Sequence, residues 1–183
     1  MATVRTPRAS WIDEGLRALG RGGPEAVRIE PLARSLGVSK GGFYWHFDDR
    51  RALLEEMLDA WERRWVDEVI EVVEAAEGDA RARLRKLFGM ASASGTELLK
   101  VEMAVRDWAR RDEGVARRSR RVDNRRMDYM RSLFKDICED DDEVEVRCLL
   151  TISLFTGVGL VSVDHGGRSW RDVLELALAS LLR

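Results

Sequence analysis

Apolar residues recur along most of this chain at alternating spacings of three and four, the signature of helices with one buried face. Leu54, Leu58, Trp61, Trp65, Val69, Val72 and Ala76 fall on a single face. Asp48 is placed to cap that helix, with Asp49 in its first turn. A rod running unbroken from about residue 48 to 77 would be roughly 45 Å long at 1.5 Å per residue, enough to connect two domains. Ile12, Leu16 and Leu19 mark an earlier helix over about residues 9 to 20, ended by Gly20, Gly22, Gly23 and Pro24. Further helices are predicted over about 80 to 93, 96 to 111, 115 to 138, 142 to 163 and 169 to 182. They are punctuated by Gly78, Gly95, Gly114 and the Gly166-Gly167 pair. The three prolines, Pro7, Pro24 and Pro31, all stand near the start, so the strongest helix breaker is missing from everything after Pro31. No stretch with a period of two competes, and the expected class is all-α.

Residues 29 to 47, IEPLARSLGVSKGGFYWHF, parse as two short helices joined by a tight turn. Ile29, Leu32, Ala33 and Leu36 form the inner face of the first. Gly37 stands where a left-handed residue ends a helix, Val38 can plug the core, and Ser39 is an N-cap for the second. That is the spacing of a helix-turn-helix, whose second helix enters a DNA major groove. With the upstream helix it completes a three-helix bundle. In the second helix Phe43 and Phe47, four apart, are expected to point inward. Lys40, Tyr44 and His46 are then left to donate to phosphates. Gly41 and Gly42 each cost a short helix about 1 kcal/mol relative to alanine, which close approach of the backbone to DNA would offset.

Charge narrows the picture. The 31 Lys and Arg nearly balance 33 Asp and Glu, for a net charge of -2, so nucleic-acid binding through bulk positive charge is not expected. Any basic surface must be local, and residues 1 to 50 hold eight basic against six acidic side chains. Cys138 and Cys148 are too few for a disulfide scaffold. With His46 and His165 they make a poor ligand supply, so neither metal nor cofactor is expected. The acidic run Glu139 to Glu143 is expected to be a solvated turn, lacking the glycine and spacing of a calcium loop. Arg5 and Arg8 have no apolar stretch behind them, and no window approaches a membrane span, so a soluble, cytoplasmic protein is expected. No GxSxG or HExxH motif is present, and an enzyme is not expected.

The stretch SKGGFYWHFDDRRALLEEML, Ser39 to Leu58, resembles the recognition helix and following helix of the TetR family of one-component transcriptional regulators. The resemblance implies a helix-turn-helix DNA-binding domain over residues 1 to 50. Residues 51 to 183 would then form an all-helical ligand-sensing and dimerisation domain. By motif position, Lys40, Tyr44 and His46 would contact phosphates or groove edges, with Gly41 close to the backbone, Gly42 and Trp45 facing the bases and Arg50 at a position usually basic. Arg28 stands where the family commonly has a capping Thr or Ser, beside Ser39 in the expected DNA-binding set. Pro31 occupies the first turn of that helix, where it is tolerated. The implied partners are a palindromic double-stranded operator, a second copy of the chain and a small-molecule ligand. A ligand-independent regulator or an activator is the alternative.

Two features of the second part bear on those roles. Met103, Arg106, Asp107 and Trp108 would face Asn124, Met127, Tyr129, Met130 and Phe134 if their helices pack together, giving either core or an apolar ligand pocket. ISLFTGVGLVSV, Ile152 to Val163, lacks the preceding strand and third glycine of a dinucleotide loop. Its small residues permit close helix contact instead. With the last helix it predicts a twofold dimer through a four-helix bundle, using Leu154, Gly157, Val158, Val161, Val173, Leu174, Ala177 and Leu181. The basic run Arg117, Arg118, Arg120, Arg121, Arg125 and Arg126, interspersed with Asp123 and Asp128, is expected to be a solvated face.

Overall fold

The structure is a computed structural model that describes residues 6–93, 96–157, 160–161 and 163–183. Nine α-helices are assigned among them: α1 Arg8–Gly22, α2 Ile29–Ser35, α3 Arg50–Glu62, α4 Glu68–Glu74, α5 Ala80–Ala93, α6 Thr96–Ala109, α7 Glu113–Phe134, α8 Asp141–Gly157 and α9 Trp170–Ser180. Among the described residues there is no strand, only an isolated bridge between His165 and Arg168. The fold is all-α, as the periodicity predicts. It divides into two compact units, the first from 1–64 and 96–119, the second from 65–95 and 120–183.

In the first unit α1 packs against α6 and α3, with α2 alongside. Glycines set the spacing. A Cβ on Gly15 would lie 2.6 Å from the Met57 sulfur, and one on Gly20 would lie 3.2 Å from Lys100 Cβ. Trp11, Leu19, Val27, Leu53, Met57, Trp61 and Val105 are buried between these helices. Two buried carboxylates are fully employed there. Glu102 accepts from Trp61 Nε1 at 3.0 Å and Arg106 Nε at 2.9 Å, tying α6 to α3.

Glu14 accepts from Arg17 Nε at 2.7 Å, Ser35 Oγ at 2.9 Å and Arg21 Nη2 at 3.1 Å, fastening α1 to the end of α2. Burial pushes the Glu14 carboxyl up, but the donors from Arg17, Ser35 and Arg21 outweigh it and hold its pKa below the usual carboxylate range. Because the folded value is the lower one, the carboxylate stabilises the fold fully above the unfolded value of about 4.3. That contribution is lost as pH falls through the folded value. Glu14→Gln is expected to cost about 1–3 kcal/mol at neutral pH and to flatten the acid limb of the stability curve. Urea titrations between pH 3 and pH 7 check this; an unchanged acid limb would contradict it.

The predicted rod from 48 to 77 needs three corrections. Asp49, not Asp48, caps α3, accepting from the Ala52 N–H at 2.8 Å. Helix runs from Arg50 to Glu74, and a π turn at Arg63–Asp67 interrupts it. A π turn inserts one residue, so the inward face shifts by one position. Leu54, Leu58 and Trp61 are buried as expected. Val66 within the turn and Val73 beyond it are buried in place of Trp65 and Val72, the last of which is exposed, while Val69 packs against the core as expected. Trp65 lies in the second unit with the Arg126 guanidinium 5.4 Å from its ring.

The second unit is built around Val73, Leu84, Phe88, Leu133, Phe134, Val144, Cys148 and Leu178, with α5 against α9 and α4. Burial pushes the Cys148 thiol up to about 11, which keeps it protonated and unreactive. Tyr129 donates to Glu74 at 2.8 Å. Gly114 sits inside the first turn of α7 rather than between helices, because Asp112 caps there by accepting from the Val115 N–H at 3.1 Å. The helix predicted to reach residue 163 ends at Gly157, and the Leu160 N–H turns back to the Gly157 carbonyl.

Candidate nucleic-acid interface

Residues 29 to 47 fold as a helix, a turn and a short second helix. Gly37, at φ 68°, takes the left-handed conformation that ends α2, and the Val38 N–H bonds back to Ala33 O at 2.9 Å. The second helix is 3-10 rather than α, spanning Lys40–Trp45. Ser39 is extended and makes no side-chain cap. Phe43 and Phe47 point inward as predicted, at 0% and 3% exposure. Phe43 stacks on Phe47 at 5.2 Å and meets the edge of Trp11 at 5.4 Å. With two aromatics anchoring so short a helix, its other side is held rigidly outward. Tyr44 is 53% exposed and Trp45 71%, unusually wet for large aromatic side chains.

Lys40 is exposed and bonds Glu30 Oε1 at 2.9 Å. Gly41 and Gly42 have φ outside the left-handed region. A Cβ on either would meet nothing closer than 3.7 Å. The fold itself therefore does not require glycine at either position.

Two further residues expected at this surface are employed internally. His46 Nε2 donates to the Thr6 carbonyl at 2.9 Å. Arg50 Nε donates to Val27 O at 2.6 Å, and its Nη2 donates to Pro24 O, so its guanidinium fastens α3 to the segment leading into α2. Arg28 is exposed at the N-cap position of α2 without a side-chain capping bond. Sequence reasoning missed the layer behind the surface. Arg8 pairs with Glu56 and lies 4.8 Å from the Phe47 ring centroid. Glu30 and Glu14 are partnered across the turn, at separations no helical period reveals.

The other predicted sets fare differently. Met103, Arg106, Asp107 and Trp108 belong to the first unit, while Asn124, Met127, Met130 and Phe134 belong to the second. Neither unit assembles the eight. Met130 and Phe134 are core of the second unit, and Arg106 is bound to Glu102. Of the predicted dimer residues, Leu174 is buried in the protomer's own core, and Leu154 and Leu181 pack against that core. Val173, Ala177 and Gly157 are half-buried, Val161 is exposed, and Val158 lies outside the described residues. The exposed apolar side chains of α8 and α9 are instead Val146, Leu149, Leu150 and Leu176. In the basic run, Arg117 pairs with Glu113, Arg118 with Glu55 and Asp59, Arg125 with Asp67 and Arg126 with Asp123, so these charges are neutralised locally, but Arg118 and Arg126 are half-buried rather than solvated as expected. Among the described residues no cluster of His, Cys, Asp or Glu could hold a metal ion, and no helix is long and apolar enough to cross a membrane.

Comparison with known proteins agrees with this geometry. The family model described as bacterial regulatory proteins, tetR family, matches residues 12–57, from within α1 to within α3. The class A tetracycline repressor protein from transposon 1721 of Escherichia coli is 31% identical over 160 residues, which cover 86% of this chain and 67% of that one. The HTH-type transcriptional regulator AcrR of Shigella flexneri is 28% identical over 80 residues, 44% of this chain and 37% of its own. A transcriptional regulator from Saccharomonospora viridis, solved in complex with choline, shares the fold with a TM-score of 0.77 at 19% identity, covering 94% of this chain and 93% of that one. An outward-facing aromatic pair on a rigid helix-turn-helix, a match over that same segment and a relative similar over most of the chain converge: this chain belongs to the TetR family of transcriptional regulators.

Proposed function

We propose that the protein is a homodimeric repressor that binds a palindromic operator and is released by a small molecule held in its C-terminal helical part. The observation that carries the reading is the exposure of Tyr44 and Trp45 on a helix anchored by Phe43, Phe47 and Trp11. Side chains held this way reach phosphates and base edges with little ordering cost on binding. Residues 1 to 50 supply the reading head, and residues 51 to 183 supply dimerisation and ligand sensing, in a cytoplasmic protein. Two heads about 34 Å apart would sit in successive major grooves of one DNA face.

Two continuous helical stretches, α3 with α4 and α7, run from one compact unit into the other. Ligand binding in the second unit therefore has covalent routes by which to favour a spacing that fits DNA poorly. Couplings of about 1–3 kcal/mol are typical of such systems. Small-molecule control is supported by the relatives, one named for tetracycline and one solved with choline.

The test is binding of the purified protein to labelled DNA from upstream of its own gene, at two salt concentrations and against random competitor. Sequence-preferring, salt-sensitive binding is expected. Tyr44→Ala should weaken it about tenfold or more on operator and random DNA alike, as loss of a phosphate contact would. Unchanged affinity for that variant would remove Tyr44 from the interface.

A further inference from the structure

Between Arg28 and His46 the chain carries one carboxylate, Glu30, amid Arg28, Arg34 and Lys40. Glu30 sits in the first turn of α2, and its Oε1 lies 2.9 Å from the ammonium of Lys40, at the start of the Lys40–Trp45 helix. Both side chains are exposed, 69% and 51%. We infer that Glu30 is an affinity-limiting positioning residue, which holds Lys40 in the free protein so that DNA must displace a carboxylate before this lysine can reach a phosphate. The inference rests on the DNA-binding reading above.

The electrostatics favour it. The bond from Lys40 holds Glu30 below the usual carboxylate range, and the same bond raises the pKa of Lys40, so both are charged at neutral pH. An exposed ion pair contributes little to stability, so exchanging it for a phosphate contact is feasible. The carboxylate left behind would then face the DNA backbone with like charge. Its effect is therefore to weaken binding to every sequence, keeping a basic surface from being saturated by random DNA. A purely structural role, in which Glu30 complements the N-terminal end of α2, would affect folding and leave DNA affinity alone.

The experiment measures binding of Glu30→Gln to operator and random DNA across a salt series, with a double-mutant cycle against Lys40→Ala. The expected result is affinity about three- to tenfold tighter on both DNAs and a salt dependence steeper by about one ion. In the Lys40→Ala background the gain should shrink below about twofold. Unchanged or weaker binding by Glu30→Gln overturns the inference, as does a gain that survives loss of Lys40. Wild-type protein showing no salt-sensitive DNA binding would fail the functional reading itself. Wild-type binding with an inert Glu30→Gln fails this inference alone.

Discussion

A Leu149→Glu, Leu176→Glu double variant is expected to travel as a monomer and to lose about a hundredfold or more of operator affinity. The two side chains are 60% and 58% exposed in the protomer, so replacing them should leave its folding within about 0.5 kcal/mol of the parent. On α8, Val146, Leu149 and Leu150 are spaced i, i+3, i+4 and all face solvent, while Val144, Cys148 and Thr151 line the buried side of the same helix. An amphipathic helix with two apolar faces has one more than its own protomer uses. In a twofold interface each substitution appears twice, so the double variant would bring four carboxylates into one apolar contact. Tethering two reading heads raises affinity by about 10²–10⁴ over either alone, and the monomer forfeits that gain. Light scattering together with gel-shift titration checks both halves. A variant that remains dimeric with parental affinity would move the interface elsewhere, and a thermal melt separates that outcome from misfolding.

Phe43→Ala is expected to cost about 3–5 kcal/mol of stability and to abolish specific DNA binding. Phe43 is fully buried and touches Trp11, Tyr44 and Phe47 at ring distances of 5.2 to 5.4 Å. It is the peg on which a six-residue 3-10 helix hangs. So short a helix has almost no stability of its own, and its position depends on tertiary packing. Removing the ring leaves a cavity beneath Tyr44 and Trp45, and both lose their fixed orientation. Phe43→Leu, which refills much of the space, should recover most of the stability. Urea unfolding followed by circular dichroism, beside gel-shift titration, gives both quantities; a loss under about 1 kcal/mol would contradict the anchoring role.

The site was legible in the sequence where its signals were local. Gly37 before Val38 and Ser39, with Phe43 and Phe47 four apart, specified the turn and the inward face, and by exclusion the outward Tyr44, while Trp45 was singled out only through the family resemblance. What escaped was every partner chosen across the turn. His46 and Arg50 read as DNA-facing residues by position, yet each donates to a backbone carbonyl at least 23 residues away in sequence. Glu30 read only as a residue of the first helix, because nothing in its spacing from Lys40 marks the pair. The residues of the expected ligand set are divided between the two units, which spacing along the chain could not foretell. Helical periodicity says which side of a helix is apolar, and it does not say which neighbour that side meets.

The sequence by itself determined the all-α class, the helix-turn-helix near the start and the approximate place of the helices along the chain. These follow from backbone sterics, capping residues and a 3.6-residue period, which act over a few neighbouring positions. The tertiary structure alone decided which apolar face is spent on the protomer's own core. Leu174 lies inside and Leu176 outside on one helix whose residues are apolar most of the way round. It also decided the π turn at Arg63–Asp67, which moves the buried face of the connecting helix from Trp65 and Val72 to Val66 and Val73. A single inserted residue costs little locally, and its register is set by the packing on either side, where distant parts of the chain meet.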